Sequence, residues 1–163
     1  MVRFSDGPTT EVSRVIAAEP ADIWPLVTDV LLPVQGSPEL QHVEWEDPHT
    51  RIAPEAVFIG HNARGDARWQ TRCVVTHCDP EGAYSYTAWA GDEAVATWTF
   101  ELEPTDRGTR VTQRVLLGPG RSGLTWAIKQ RPDDEEAIID RRLAQLATSM
   151  EHNLDAIEAR ATS

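Results

Sequence analysis

The sequence predicts an α+β fold in which a curved antiparallel sheet of about seven strands wraps around a long C-terminal helix, with short helices after the first strand. Three observations lead there. Between residues 40 and 117, short runs of alternating apolar and polar side chains are separated by brief turn-forming segments. From residue 139 the period changes, and Ile139, Leu143, Leu146, Met150, Leu154 and Ile157 recur every three or four positions. The chain has 163 residues, 40% of them hydrophobic and 25% charged, enough for one sizeable core but not comfortably for two. One domain spanning 1–163 is therefore expected.

Glu11 to Ala17 is rich in β-branched residues and reads as a first strand. Pro20-Ala21-Asp22-Ile23-Trp24 then opens a short helix that groups Ile23, Trp24 and Val27, and Pro33, Gly36 and Pro38 break up the stretch after it. Further strands are expected at Leu40–Trp45, Ala56–Asn62, Ala67–Cys78, Ala83–Ala90, Ala94–Glu103 and Thr109–Leu117. Connectors such as Ala63-Arg64-Gly65-Asp66 and Gly91-Asp92-Glu93 are short and turn-rich, as hairpins in a meander require. In the last helix Asp133 is the expected N-cap, with Glu136 completing a capping box.

Side chains on a strand alternate between faces, so the runs can be sorted into two sides. One side collects Phe58, Gly60 and Asn62; Trp69, Thr71, Cys73 and Val75; Tyr84, Tyr86 and Ala88; Trp98, Phe100 and Leu102; and Val111, Gln113 and Val115. The other carries Arg68, Gln70, Arg72, Thr97, Thr99, Glu101, Arg110, Thr112 and Arg114. The greasy side faces the helix, whose stripe brings Met150 and, beside it, Asn153. A few polar groups in an aromatic and aliphatic lining are what orient a small ligand, and each must find a partner, since an unpaired buried amide costs about 1–3 kcal/mol. Phe58, Asn62, Trp69, Thr71, Cys73, Tyr84, Tyr86, Ala88, Trp98, Phe100, Gln113, Met150 and Asn153 are thus the candidate cavity lining, against the alternative that they fill the core or bond one another.

Charge removes other functions. Fifteen Lys plus Arg against 26 Asp plus Glu give a net charge of −11, which repels nucleic acid and anionic lipid surfaces. No apolar run reaches membrane-spanning length, and the N-terminus lacks a secretory h-region, so a cytoplasmic protein is expected, with no stable membrane insertion. Cys73 and Cys78, five apart, should point to opposite faces as reduced thiols. The five histidines stand in no metal-ligand spacing, so neither metal nor cofactor is expected. His77 continues the inward parity of Cys73 and Val75, but at a strand end where a bulge would reverse it. Gly118-Pro119-Gly120-Arg121-Ser122-Gly123 matches a dinucleotide fingerprint literally, yet no later strand completes the βαβ unit, and Pro119 removes an N–H donor.

Several segments together resemble the START-like superfamily, in particular the bacterial polyketide cyclase/dehydrase and lipid-transport group of helix-grip proteins. They are Ser13-Arg14-Val15-Ile16-Ala17 with Pro20-Ala21-Asp22-Ile23-Trp24, Thr28-Asp29, Ser37-Pro38-Glu39-Leu40, Phe58-Ile59-Gly60-His61-Asn62 and Trp69-Gln70-Thr71. Ala96-Thr97-Trp98-Thr99-Phe100-Glu101-Leu102, Gly108-Thr109-Arg110-Val111-Thr112-Gln113 and the last helix complete the likeness. The resemblance implies the helix-grip fold and an elongated cavity between sheet and helix for a small or lipid-like apolar molecule. It transfers no catalytic residue, because these are packing and turn positions. The leading expectation is a cytoplasmic binding or carrier protein for a small hydrophobic or aromatic molecule. The alternatives are a polyketide cyclase/dehydrase-type enzyme that moves protons with Tyr84, Tyr86 or His77 in the same cavity, and an interaction module without a natural small ligand. Nothing in the sequence signals an oligomeric state.

Overall fold

The computed structural model describes residues 2–163. Its strands are β1 (Thr9–Ile16), β2 (Leu40–Trp45), β3 (Val57–Arg64), β4 (Ala67–Asp79), β5 (Ala83–Ala90), β6 (Glu93–Thr105) and β7 (Gly108–Leu117). Its helices are α1 (Pro20–Val27), α2 (Gly123–Gln130) and α3 (Glu135–Ala161). All seven strands pair antiparallel in one sheet, in the order β1-β7-β6-β5-β4-β3-β2. The meander from β2 to β7 runs as the alternation predicts, and β1 closes onto β7. That closure depends on Gly108, whose φ of +131° suits glycine and where a Cβ would fall 2.0 Å from the Ile16 carbonyl oxygen.

The registers confirm the sorting of faces across the sheet. Phe58 pairs with Cys73 and Cys73 with Ala88; Tyr86 pairs with Trp98 and Trp98 with Val115; Tyr84 pairs with Phe100 and Phe100 with Gln113. On the outer face Arg114 bridges Glu11 at 3.2 Å and Glu101 at 2.8 Å, and Arg72 holds Glu46 at 2.8 Å. Exposed pairs of this kind contribute little individually, up to about 1 kcal/mol.

The inner face is too wide for one helix. Seven strands span roughly 30 Å, whereas a helix with its side chains covers about 10 Å. Accordingly α3 packs chiefly against β1, with further contacts to β7, α1, α2 and a 3-10 turn at Leu32–Gln35. There Ile16, Ile23, Val111 and Val115 meet Met150, Leu154 and Ile157 in the main core. Toward β2 a second apolar group, Val43, Ala56, Phe58, Cys73, Val75 and Ala88, is covered instead by Val30, Val34, Ile52 and Ala53 from the connections before β2 and between β2 and β3.

Two local expectations are corrected, and the glycine segment finds its place. Asp133 does not cap α3: Pro132–Asp134 forms a 3-10 turn, α3 begins at Glu135, and no side chain bonds its first N–H groups. Glu135 instead accepts the Phe4 N–H at 2.7 Å. Secondly, β4 carries a bulge, because Val75 faces Tyr86 while His77 faces Ser85, leaving Thr76 over. Parity inverts there, so His77 points to solvent and Cys78 turns inward, on the same face as Cys73. The glycine segment is occupied by its own sheet: Gly118 and Gly120 donate their N–H groups to Val95 and Ala94, and Arg121 donates its own to Glu93. A Cβ at Gly120 would lie 2.7 Å from Ala94 backbone atoms, so close packing on β6 explains that glycine.

Candidate functional site

The inward aromatic side chains form a continuous belt. Trp24 of α1 meets Tyr84 edge-on at 5.8 Å between ring centroids, Tyr84 stacks with Tyr86 at 6.2 Å, Tyr86 meets Phe58 at 5.0 Å, and Phe58 meets Trp45 at 5.6 Å. Phe100 stacks on Tyr84 from the β6 side at 5.7 Å. Alternation along β5 places Tyr84 and Tyr86 on one face, and antiparallel pairing lays Phe58 and Phe100 on either side.

In front of this belt lies a hollow of about 750 Å³, at the edge of the inner face that α3 does not cover. The belt's two end rings, Trp24 and Trp45, stand in its wall, with Thr28 to Leu31 after α1, Thr50 to Pro54 between β2 and β3, and Cys78 and Pro80 at the end of β4. Leu31, Arg51, Pro54 and Pro80 are exposed and form its rim. The volume falls in the range of small-molecule sites, which are mostly apolar with a few polar groups. Here the polar lining is Thr28, Asp29, Thr50 and Arg51.

The thirteen expected lining residues divide differently. Phe58, Cys73, Tyr84, Ala88, Phe100, Gln113, Met150 and Asn153 are buried, and they fill the interior instead of facing this hollow. Asn153 donates to the Gln113 side-chain oxygen at 3.0 Å, so those two amides satisfy each other. Tyr84 donates its hydroxyl to the Val27 carbonyl at the end of α1, and the Cys73 thiol points at the Thr71 hydroxyl 4.0 Å away. Tyr86 and Trp98 are half-buried in the belt region. Asn62 and Trp69 lie near the β3–β4 turn, lining a smaller space of about 320 Å³ with Gln41, His61, Arg68 and Gln70, and Trp69 is 36% exposed. None of the thirteen lines the larger hollow. Cys78, Ile52 and Arg51 do. The bulge at Thr76 hid the first, and the other two lie in a connection without periodicity.

Burial also sets the chemistry of the interior. It pushes the Tyr84 and Tyr86 phenols above their ordinary value, and nearby Cys78 and Asp29 add to the shift of Tyr84. The Cys73 thiol is pushed up to about 12, chiefly by desolvation, and Cys78 is raised by burial and by neighbouring Asp79. These groups are neutral near pH 7: they can donate hydrogen bonds but are weak bases and nucleophiles. Among the described residues no cluster of three His, Cys, Asp or Glu side chains is placed to hold a metal ion, and no helix is long and apolar enough to cross a membrane.

Residues 8–151 match the family model described as polyketide cyclase / dehydrase and lipid transport. The chain belongs to this family. No curated protein matches the sequence. Among solved structures, the Polyketide_cyc-like protein Cgl2372 from Corynebacterium glutamicum is 24% identical, with a TM-score of 0.65 over 92% of this chain and 88% of that one. Zhui aromatase/cyclase from Streptomyces sp. R1128 is 14% identical, with a TM-score of 0.66 over 95% of this chain and 93% of that one. The di-domain ARO/CYC StfQ from the steffimycin biosynthetic pathway is 17% identical, with a TM-score of 0.71 over 94% of this chain and 50% of that one. At such identities the likeness shows the fold, and the polyketide cyclase/dehydrase family member described here has the helix-grip architecture of these proteins.

Proposed function

We propose that this family member is a cytoplasmic binding protein, a carrier of a small hydrophobic or aromatic molecule, and that the molecule sits in the hollow between Trp24 and Trp45. The observation that carries the reading is the hollow itself: about 750 Å³, walled by Ile52, Cys78 and the two end rings of the aromatic belt, Trp24 and Trp45. Burying an aromatic ring system there is worth about 25 cal/mol for each Å² removed from water. Binding is favoured over catalysis by the state of the interior groups. The Tyr84 hydroxyl is committed to Val27, both phenols are held protonated, and His77, which the enzyme reading would use, faces solvent.

A neutral probe tests the reading. N-phenyl-1-naphthylamine should bind at about one site per chain, brighten on binding and quench Trp24 and Trp45. Ala53→Trp, which fills the hollow from the β2–β3 connection, should abolish the signal with the circular dichroism unchanged. Arg110→Ala, on the outer face beside Glu103, should leave it intact. No binding by the native protein, or equal loss in both variants, would remove the hollow as the binding site.

A further inference from the structure

We propose that the molecule held in this hollow is an apolar acid, bound with its ring system against Trp24 and Trp45 and its anionic oxygens against the Arg51 guanidinium at the rim. The inference rests on the reading of the hollow as the binding site and adds the ligand's polar end.

The charges lining the hollow are unequal in their state. Asp29 already has partners: one carboxylate oxygen accepts the Leu31 N–H at 3.0 Å, and the other lies 3.5 Å from Arg160 of α3. Arg51 has neither a carboxylate within ion-pair distance nor a hydrogen-bond acceptor among the described residues. Most arginines of this chain of net charge −11 are held by carboxylates, as Arg14, Arg72 and Arg114 are, and Arg51 is the one arginine in the wall of the larger hollow. The uncompensated charge of the hollow is therefore positive, and it belongs to the side chain whose planar fork matches a carboxylate.

Position decides how such a ligand would lie. Arg51 is exposed and is followed directly by Ile52 and Ala53, which face the apolar group of Phe58 and Val75. A molecule entering between the tryptophans meets apolar surface first along its body and the guanidinium at its trailing end. Its carboxylate stays at the rim, in contact with water, which avoids the desolvation cost a fully buried anion would carry. A ligand with a cationic end finds no free carboxylate in the same wall, because Asp29 is engaged.

Calorimetric titration of the full chain with 2-naphthoate and with 2-naphthalenemethanol separates the possibilities, since the two share a ring system and differ in charge. The native protein should bind the acid at least about fivefold more tightly than the alcohol, despite the repulsion of its net charge. Arg51→Gln should remove that preference by weakening the acid at least about fivefold more than the alcohol, with an unchanged circular dichroism spectrum reporting an intact fold. Raising salt from about 0.05 to about 0.5 M should weaken the acid alone. Equal affinities in the native protein, or equal weakening of both compounds by Arg51→Gln, would overturn the acid and leave the binding site standing. Failure of both compounds to bind would overturn the site and the acid together.

Discussion

Asn153 of α3 donates a 3.0 Å hydrogen bond to the side-chain oxygen of Gln113 on β7, and both amides are buried among aliphatic and aromatic side chains. It is a polar fastener between the helix and the sheet it crosses, at a level where Met150 and Leu154 supply only undirected apolar contact. Because low polarity strengthens a satisfied bond and penalises a broken one, the pair also fixes which turn of α3 faces β7.

Breaking that pair from one side should cost more than removing it. Asn153→Leu or Gln113→Leu alone strands one buried amide and should lower the unfolding free energy by about 1–3 kcal/mol. The double variant should recover part of the loss. Urea denaturation of the four proteins gives the coupling directly, and additive single effects would show that the two amides do not act as a pair.

Cys73 makes stability fall in alkali. Its folded-state pKa of about 12 exceeds the ordinary 9.0, so the folded chain keeps a proton that the unfolded chain releases. The associated stability is fully present below about pH 9 and is lost as pH rises toward 12, with a slope approaching about 1.4 kcal/mol per pH unit. Measured between about pH 8 and 9, where tyrosines with an ordinary value near 10 are still largely protonated in the unfolded chain, Cys73→Ala should reduce this slope and leave the part that Cys78 contributes. A slope unchanged by the substitution would place its source elsewhere.

Removing α3 should uncover the main core. A chain ending before Ile139 exposes Ile16, Val111 and Val115, now completely or almost completely shielded. It should aggregate or bind apolar dyes strongly, as size-exclusion chromatography and dye fluorescence would show. A monomeric, cooperatively unfolding truncation would mean that the sheet finds its cover in α1 and the loops.

The strands and α3 were legible because burial on one side imposes a period, two for a strand and 3.6 for a helix, and Trp98, Phe100, Leu146 and Leu154 obey it. The hollow was not. Its wall between Thr50 and Pro54 has no repeat, and its shape depends on how that segment lies across strands distant in sequence. Cys78 failed for a sharper reason: one surplus residue at Thr76 reverses every later side chain of β4, and no residue type there announces it. The capping box failed because the Pro132–Asp134 turn leads directly into α3, with the Glu135 N–H bonded to the Pro132 carbonyl, while the Glu135 carboxylate is drawn to a tertiary partner, the Phe4 N–H.

The mismatch between a broad sheet and a narrow helix also bears on how such a protein can diverge. Hydrogen bonds from Glu46 to Val57 and from Glu55 to Val75 anchor the ends of the β2–β3 connection, while Thr50 to Pro54 between them line the hollow. If the hollow is the binding site proposed above, substitutions there would change what it accepts without touching the Asn153–Gln113 fastener or the stripe of α3. The residues that hold the scaffold together and those that shape the hollow thus occupy different stretches of the same chain, so one set can be altered without the other.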